Sequence, residues 1–167
     1  MMNAGAYGGE MKQVLESVVV MTPEGEVKTL GEDELELGYR TSIVAKKNYI
    51  VLEAVIRLEP GDAGDIRSYM EELKEKRVSK QPLEYPSAGS TFKRPEGYFA
   101  GRLIEDAGLR GFQVGNAQVS QKHCGFVINR GGATAAEVIS LMEQVADKVE
   151  AASGVRLEPE VKRIGEF

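Results

Sequence analysis

The chain has 167 residues and a mass of 18.2 kDa, room for one full domain or one domain with part of a second at roughly 100–200 residues each. With 42% hydrophobic and 28% charged residues it has material for a core and is neither collagen-like, low-complexity nor disordered. A net charge of −5 opposes a nucleic-acid partner, whose binding would rest on a basic face neutralising phosphates, and a lone Cys124 beside a lone His123 excludes disulfide frameworks and Cys/His zinc sites, so no metal is expected.

The chain opens on Met2-Asn3-Ala4-Gly5-Ala6-Tyr7-Gly8-Gly9-Glu10, a glycine-rich composition typical of a link between structured elements or of a frayed terminus. Val14 to Met21 is β-branched, Pro23-Glu24-Gly25-Glu26 is a turn and Val27 to Leu30 follows, so a β-hairpin is predicted. Val18-Val19-Val20-Met21 is the longest aliphatic stretch, far short of the ~20 residues of a membrane helix. No basic segment leads into an apolar one at the start. These features, with the cysteine count, predict a soluble, cytoplasmic chain without a membrane partner. Tyr49 to Leu58 is the strongest strand, and its apolar continuity predicts burial on both faces.

Pro60-Gly61-Asp62 breaks the pattern, and a domain boundary is placed there, dividing the chain into 1–60 and 61–167. From Ala63 to Arg77, Ile66, Met70 and Leu73 repeat with helical spacing among charges, which predicts an amphipathic surface helix. Residues 79–97 hold three prolines and two glycines; no helix can run through them and any strand must be short. Phe99 to Ala107 reads as a helix stopped at Gly108, and Phe112 to Val119 and Gly125 to Asn129 as two strands. Thr134-Ala135-Ala136-Glu137 is a capping box. Val138, Leu141, Met142, Val145 and Val149 then mark one helical face, and Gly154 supplies the stop. Val155 to Ile164 reads as a final strand in which Pro159 demands an edge or a bulge. The fold class predicted is α+β, with helices packed on a small antiparallel sheet.

Among residues able to do chemistry, His123 and Cys124 would point to opposite faces of a strand, which argues against a nucleophile–base pair. Ser87 to Pro95 resembles an anion-binding loop, since small residues bare backbone amides beside Lys93 and Arg94. It has neither Walker spacing nor a Gly-x-Ser-x-Gly elbow, and on physical grounds alone a plain Pro/Gly-rich turn accounts for it better than a site. Tyr39-Arg40-Thr41-Ser42 and Glu158-Pro159-Glu160 are further candidates.

Taken in order, Asn3-Ala4-Gly5-Ala6-Tyr7-Gly8-Gly9-Glu10, Tyr39-Arg40-Thr41-Ser42, Ser87-Ala88-Gly89-Ser90-Thr91-Phe92-Lys93, Gly115-Asn116-Ala117-Gln118-Val119-Ser120 with Lys122-His123, and Leu157-Glu158-Pro159-Glu160-Val161 resemble the UDP-N-acetylenolpyruvoylglucosamine reductases (UDP-N-acetylmuramate dehydrogenases, the MurB family), in their shorter variant. The resemblance implies an oxidoreductase of peptidoglycan precursor synthesis that passes a hydride from NADPH through FAD to the enolpyruvyl double bond of a UDP-sugar, giving UDP-N-acetylmuramate. It implies Ser90 as proton donor, with Arg40 and Glu160 acting on the enolpyruvyl carboxylate and the developing enolate. Hydride addition builds charge on the carboxylate side, where a fixed arginine acts most strongly in the transition state. Glu160 beside the same charge is expected to be protonated or hydrogen-bonded.

The same resemblance places Asn3, Ala4, Gly5, Tyr7 and Gly8 along FAD, makes Tyr39 a substrate contact, and leaves Lys80, Lys93 and Arg94 as candidates for the UDP diphosphate. It also implies a flavin-binding lobe with a glycine-rich pyrophosphate loop ahead of Asn3. Without that lobe, residues 1–60 are expected to be part of an FAD-binding domain and 61–167 the substrate domain, with a last strand at about 157–167 returning toward the FAD domain. Such a chain should bind FAD weakly and turn over negligibly. A non-catalytic UDP-sugar-binding module is the alternative, and a hydrolase using Ser90 is a third reading that has no base assigned to the serine.

Overall fold

A computed structural model describes residues 2–165. It divides into two compact units, Met1–Met70 and Glu71–Phe167, and the helix α2, Ala63–Lys80, carries the chain across the division.

The first unit starts with a hairpin rather than a frayed end. β1, Gly5–Ala6, pairs with β2, Gly9–Glu10, around Tyr7 and Gly8, which both take positive φ, the geometry of a type I′ turn. The Asn3 amide ties this hairpin down: its nitrogen donates to Glu10 Oε2 at 2.7 Å and its oxygen accepts from the Lys12 amide at 3.0 Å. The predicted hairpin that follows is present as β3, Leu15–Met21, and β4, Val27–Gly31. Together with β5, Ile50–Ile56, they form a three-stranded antiparallel sheet in the order β4-β3-β5. A short helix α1, Ile43–Lys46, capped by the Ser42 hydroxyl, completes the unit. Its core is small: Val18, Val20, Leu30, Leu35 and Val44.

Two expectations fail in this region. β5 is not buried on both faces; all seven of its residues are exposed. It is an edge strand, and no described element covers its outer side. α2 is not an amphipathic helix seated on a core, since none of its residues is buried and Ile66, Tyr69 and Met70 stand half-exposed or more. Helical spacing establishes which residues share a face; it does not supply the surface that face packs against.

The second unit is an antiparallel sheet with helices, the α+β architecture expected. β6, Ser87–Ser90, β9, Phe126–Asn129, β8, Ala117–Val119, and β7, Gln113–Val114, pair in the order β6-β9-β8-β7. The strand anticipated over 112–119 is in fact the hairpin β7/β8, because Gly115 takes a φ of +55° and reverses the chain. α3, Ala100–Asp106, and α4, Ala135–Ser153, supply the packing stripe. α4 starts at the capping box read from the sequence, with the Glu137 amide donating to Thr134 Oγ1 at 3.2 Å and the Thr134 amide donating to Glu137 Oε2 at 2.9 Å. It buries Leu141, Met142, Val145, Ala146 and Val149 against Ile104, Val119, Val127 and Leu157. At about 1.5–3 kcal/mol for each large apolar side chain fully buried, this stripe accounts for much of the unit's stability.

No final strand forms over 155–164. One bridge, Phe92 with Pro159, is all the pairing there, since Pro159 has no amide hydrogen for a ladder. The expected strand's last residues, 166 and 167, lie outside the described residues.

Candidate functional site

The second unit holds a cleft of about 370 Å³ lined by residues from three segments. Ser90 comes from the end of β6, Arg94 and Phe99 from the loop into α3, and Lys122, His123 and Cys124 from the turn between β8 and β9. Ser90 reaches the cleft because β6 carries a bulge. Ser87 pairs with Ile128 and Ser90 with Phe126, so two residues, Ala88 and Gly89, stand against Val127 alone. Gly89 makes this possible with a φ of +83°, the left-handed conformation that a bulge of this kind assigns to glycine. Thr91 closes the irregularity: its hydroxyl accepts the buried Val127 amide at 2.9 Å, and its own amide donates to the Gly125 carbonyl at 2.9 Å. The buried side chain of Thr91 thereby holds in place the exposed side chain of Ser90.

Glu160 is brought to the same stretch. Its amide donates to the Thr91 carbonyl at 2.9 Å, and the Lys93 amide donates to the Glu158 carbonyl at 2.8 Å, so Glu158-Pro159-Glu160 lies antiparallel to Thr91-Phe92-Lys93. Two distant motifs of the sequence meet here through backbone bonds.

The charge of the cleft is cationic. Arg94, Arg102, Arg110 and Lys122 line it together with Glu105; Arg102 is paired with Asp106 at 2.9 Å, Arg110 with Glu105 at 2.7 Å, and Lys122 stands 3.9 Å from Glu84. Arg94 is held by the Tyr98 carbonyl, to which its Nε donates at 3.2 Å, and by the Phe99 ring 4.0 Å from its guanidinium carbon. Arg110 bonds Glu105 at 2.7 Å and the Gln121 carbonyl; the hydrogen bond to Glu105 first, and the charge of Glu105 among the lesser causes, hold its pKa above the ordinary guanidinium value. Of the three cations singled out for a diphosphate, Arg94 lines the cleft. Lys93 pairs with Glu158 at 3.0 Å, and Lys80 ends α2, exposed.

Nothing in the order of residues marks Arg102, Arg110 and Lys122 as diphosphate cations. Arg102 and Arg110 look like ordinary surface charges along the chain, and only the meeting of α3 with the β8–β9 turn places them around one hollow. His123 and Cys124 are both in that turn and both line the cleft, so the strand alternation expected of them does not apply. His123 accepts the Gly125 amide on Nδ1 at 3.0 Å and stacks edge-on against Phe126. Cys124 is buried, and burial pushes its thiol above the ordinary range although Arg110 pulls the other way.

Arg40 belongs to the first unit. Tyr39 and Arg40 form the tip of a tight reversal closed by mutual Gly38–Thr41 backbone bonds of 3.3 Å, and Tyr39 is bridged to Asn3. Arg40 takes a φ of +54° with its guanidinium over the Tyr39 ring. A left-handed non-glycine residue costs about 1–2 kcal/mol and persists where surrounding bonds over-determine it. Of the segment proposed to line a flavin, Ala4, Gly5, Tyr7 and Gly8 are exposed, while the amide of Asn3 is engaged within the hairpin.

Residues 81–164 match the model of the UDP-N-acetylenolpyruvoylglucosamine reductase C-terminal domain. The chain belongs to the UDP-N-acetylenolpyruvoylglucosamine reductase family. It is 65% identical over 166 residues to the reductase of that name from Agathobacter rectalis, a match covering 99% of this chain and 53% of the relative. It is 58% identical to the Geobacillus thermodenitrificans reductase, over 99% of this chain and 55% of the relative. The crystal structure of the reductase from Thermus caldophilus superposes with a TM-score of 0.83 at 35% identity, covering 96% of this chain and 57% of that one. The chain therefore spans about half the length of the reductases it matches.

Proposed function

We propose that this chain is the C-terminal portion of a cytoplasmic, NADPH-dependent and FAD-mediated reductase that converts UDP-N-acetylglucosamine enolpyruvate to UDP-N-acetylmuramate for peptidoglycan precursors. The observation that carries the reading is the cationic cleft of the second unit with the Ser90 hydroxyl in its wall. A doubly charged diphosphate suits this cluster of cations, whose Arg102, Arg110 and Lys122 share their charge with Asp106, Glu105 and Glu84, and Arg94 packed on Phe99 offers a guanidinium already held for it.

Reduction of the enolpyruvyl double bond needs a hydride on one carbon and a proton on the other. Relaying the hydride from NADPH is the chemistry that FAD supplies when bound. The proton is the part this chain supplies: the Ser90 Oγ–H donates it, and the alkoxide left behind is stabilised by the cations of the cleft, Arg94 nearest to it in sequence. Arg40 holds the carboxylate as negative charge develops, and Tyr39 shapes the approach to it. Glu160, fixed beside Ser90's strand by its backbone bond to Thr91, steadies the enolate end.

The first hairpin fits one side of a flavin. Met2 and Tyr7 are 41% and 43% exposed beside the exposed backbone of Gly5 and Gly8, a partly apolar surface. In this reading the pyrophosphate of the flavin is held by the part of the reductase that this chain does not match.

Calorimetry with UDP-N-acetylglucosamine enolpyruvate tests the reading. Binding that falls about tenfold with Arg94→Ala, the order expected for loss of one charge-assisted contact, is the supporting result. No binding, or binding indifferent to Arg94 and to added salt, refutes it. Because the cleft lies wholly within the second unit, a non-catalytic UDP-sugar module is the second reading. It is the better one if the substrate binds but no hydride reaches it when FAD, NADPH and the relative's remaining portion are all supplied.

A further inference from the structure

The cleft wall holds one polar ring that the function proposed above does not use. The amide of His123 donates to Ser120 Oγ at 3.3 Å, its carbonyl accepts the Phe126 amide at 3.0 Å, and its ring meets the Phe126 ring edge-on at 5.0 Å. Nδ1 accepts the Gly125 amide at 3.0 Å. A ring nitrogen that accepts carries no proton, so the one N–H of this imidazole is at Nε2. Among the described residues Nε2 has no hydrogen-bond partner.

Two glycines make room for the ring. Neither Gly101 nor Gly125 has a positive φ, so the backbone conformation does not require glycine at either position; the space does. A Cβ on Gly125 would lie 3.0 Å from His123 Cε1 and 3.1 Å from Nδ1. One on Gly101, in the first turn of α3, would lie 3.4 Å from Cε1 and 3.2 Å from the Gly125 nitrogen, the atom that donates to the ring. Alanine at 101 would suit the helix better, but it would press on both partners of the bond that fixes the tautomer.

The surroundings indicate the acceptor. Arg102, Arg110 and Lys122 stand 2.9, 2.7 and 3.9 Å from carboxylates, and all three line the same cleft as His123. An anion drawn in by these cations meets in His123 a donor that no protein acceptor has claimed, and a phosphoryl oxygen accepts strongly from an N–H. We propose that His123 is a substrate-binding residue: its Nε2–H donates to a diphosphate oxygen of the UDP-sugar, and Gly101 and Gly125 are positioning residues that seat the ring. The inference rests on the reading of the cleft as a UDP-sugar site and adds to it an uncharged donor of fixed tautomer.

His123 is the chain's one histidine, so nitrogen-15 labelling of histidine gives a spectrum of this ring alone. At about pH 8, above the ordinary imidazole range, the unbound chain should show a bare Nδ1 and a protonated Nε2. UDP should shift the Nε2–H signal and leave Nδ1 bare. In calorimetry with UDP, His123→Asn, folded by circular dichroism, should bind about tenfold more weakly. His123→Gln, whose amide nitrogen reaches the Nε2 position, should bind within about threefold of the unaltered chain. Gly101→Ala should weaken UDP binding and shift the Nδ1 signal of the unbound chain. The assignment is overturned by a proton on Nδ1, by an Nε2–H signal indifferent to UDP, by Asn and Gln variants that bind alike, or by a Gly101→Ala chain with both signal and affinity unchanged. Binding of UDP-N-acetylglucosamine enolpyruvate that depends on Arg94 and not on His123 refutes this assignment alone; no binding of that substrate by the unaltered chain refutes the underlying reading and the assignment with it.

Discussion

Replacing Gly115 with alanine should destabilise the second unit by an amount that two separate effects determine. Gly115 has a φ of +55°, and a Cβ built there would sit 1.9 Å from Glu137 Oε1 and 2.2 Å from its carboxyl carbon. The glutamate is flexible, so the clash itself is relieved by moving it, but the moved carboxylate gives up its bonds to the Thr134 and Asn116 amides, now 2.9 and 3.4 Å. The left-handed backbone costs alanine about 1–2 kcal/mol, and losing half of a capping box costs about 1 kcal/mol, for a total of about 2–3 kcal/mol. Urea unfolding followed by far-ultraviolet circular dichroism, to which the 19 residues of α4 and the 18 of α2 contribute most, reads it. In a Glu137→Ala background the capping contribution is already gone, and Gly115→Ala should cost only its backbone share. Equal costs in the two backgrounds, within about 0.3–0.5 kcal/mol, would refute the account, as would a single-variant cost below that margin.

Thr91→Val removes the hydroxyl that accepts the buried Val127 amide; a cost of about 1–3 kcal/mol is expected, with weaker substrate binding as the Ser90 bulge loosens, measured by unfolding and calorimetry on the same sample. Leu141, fully buried in α4, should cost about 2–5 kcal/mol on truncation to alanine, checked by the same unfolding curve. Cys124 should react slowly with a thiol-directed reagent at neutral pH, its rate rising only above the ordinary thiol range, because burial raises its pKa. A group with a raised folded pKa holds more protons folded than unfolded, so stability is intact below the unfolded thiol pKa and declines as pH climbs from there through the folded value. Cys124→Ser should flatten that decline in a pH series of unfolding curves.

The elements legible in the sequence are those whose signals lie within a few residues. The capping box at Thr134 and Glu137, the apolar stripe from Val138 to Val149, the stop at Gly108 and the hairpin through Pro23 each involve neighbours along the chain, and each is present. The motif segments likewise establish the family. The stretch 112–119 carries the pattern of one strand but folds as a hairpin because Gly115 takes a positive φ, a conformation that glycine permits without announcing.

Burial and charge neighbourhoods depend instead on segments far apart in the chain. Apolar continuity in β5 and helical spacing in α2 state what those elements could bury, while the absence of a described covering element leaves them open to water. Arg102, Arg110 and Lys122 share a cleft with Ser90 only because α3, the β6 bulge and the β8–β9 turn converge around one core. The order of residues determines local geometry through short-range hydrogen bonds and backbone sterics; the grouping of charges around a hollow follows from packing, whose partners the chain brings together only when it folds.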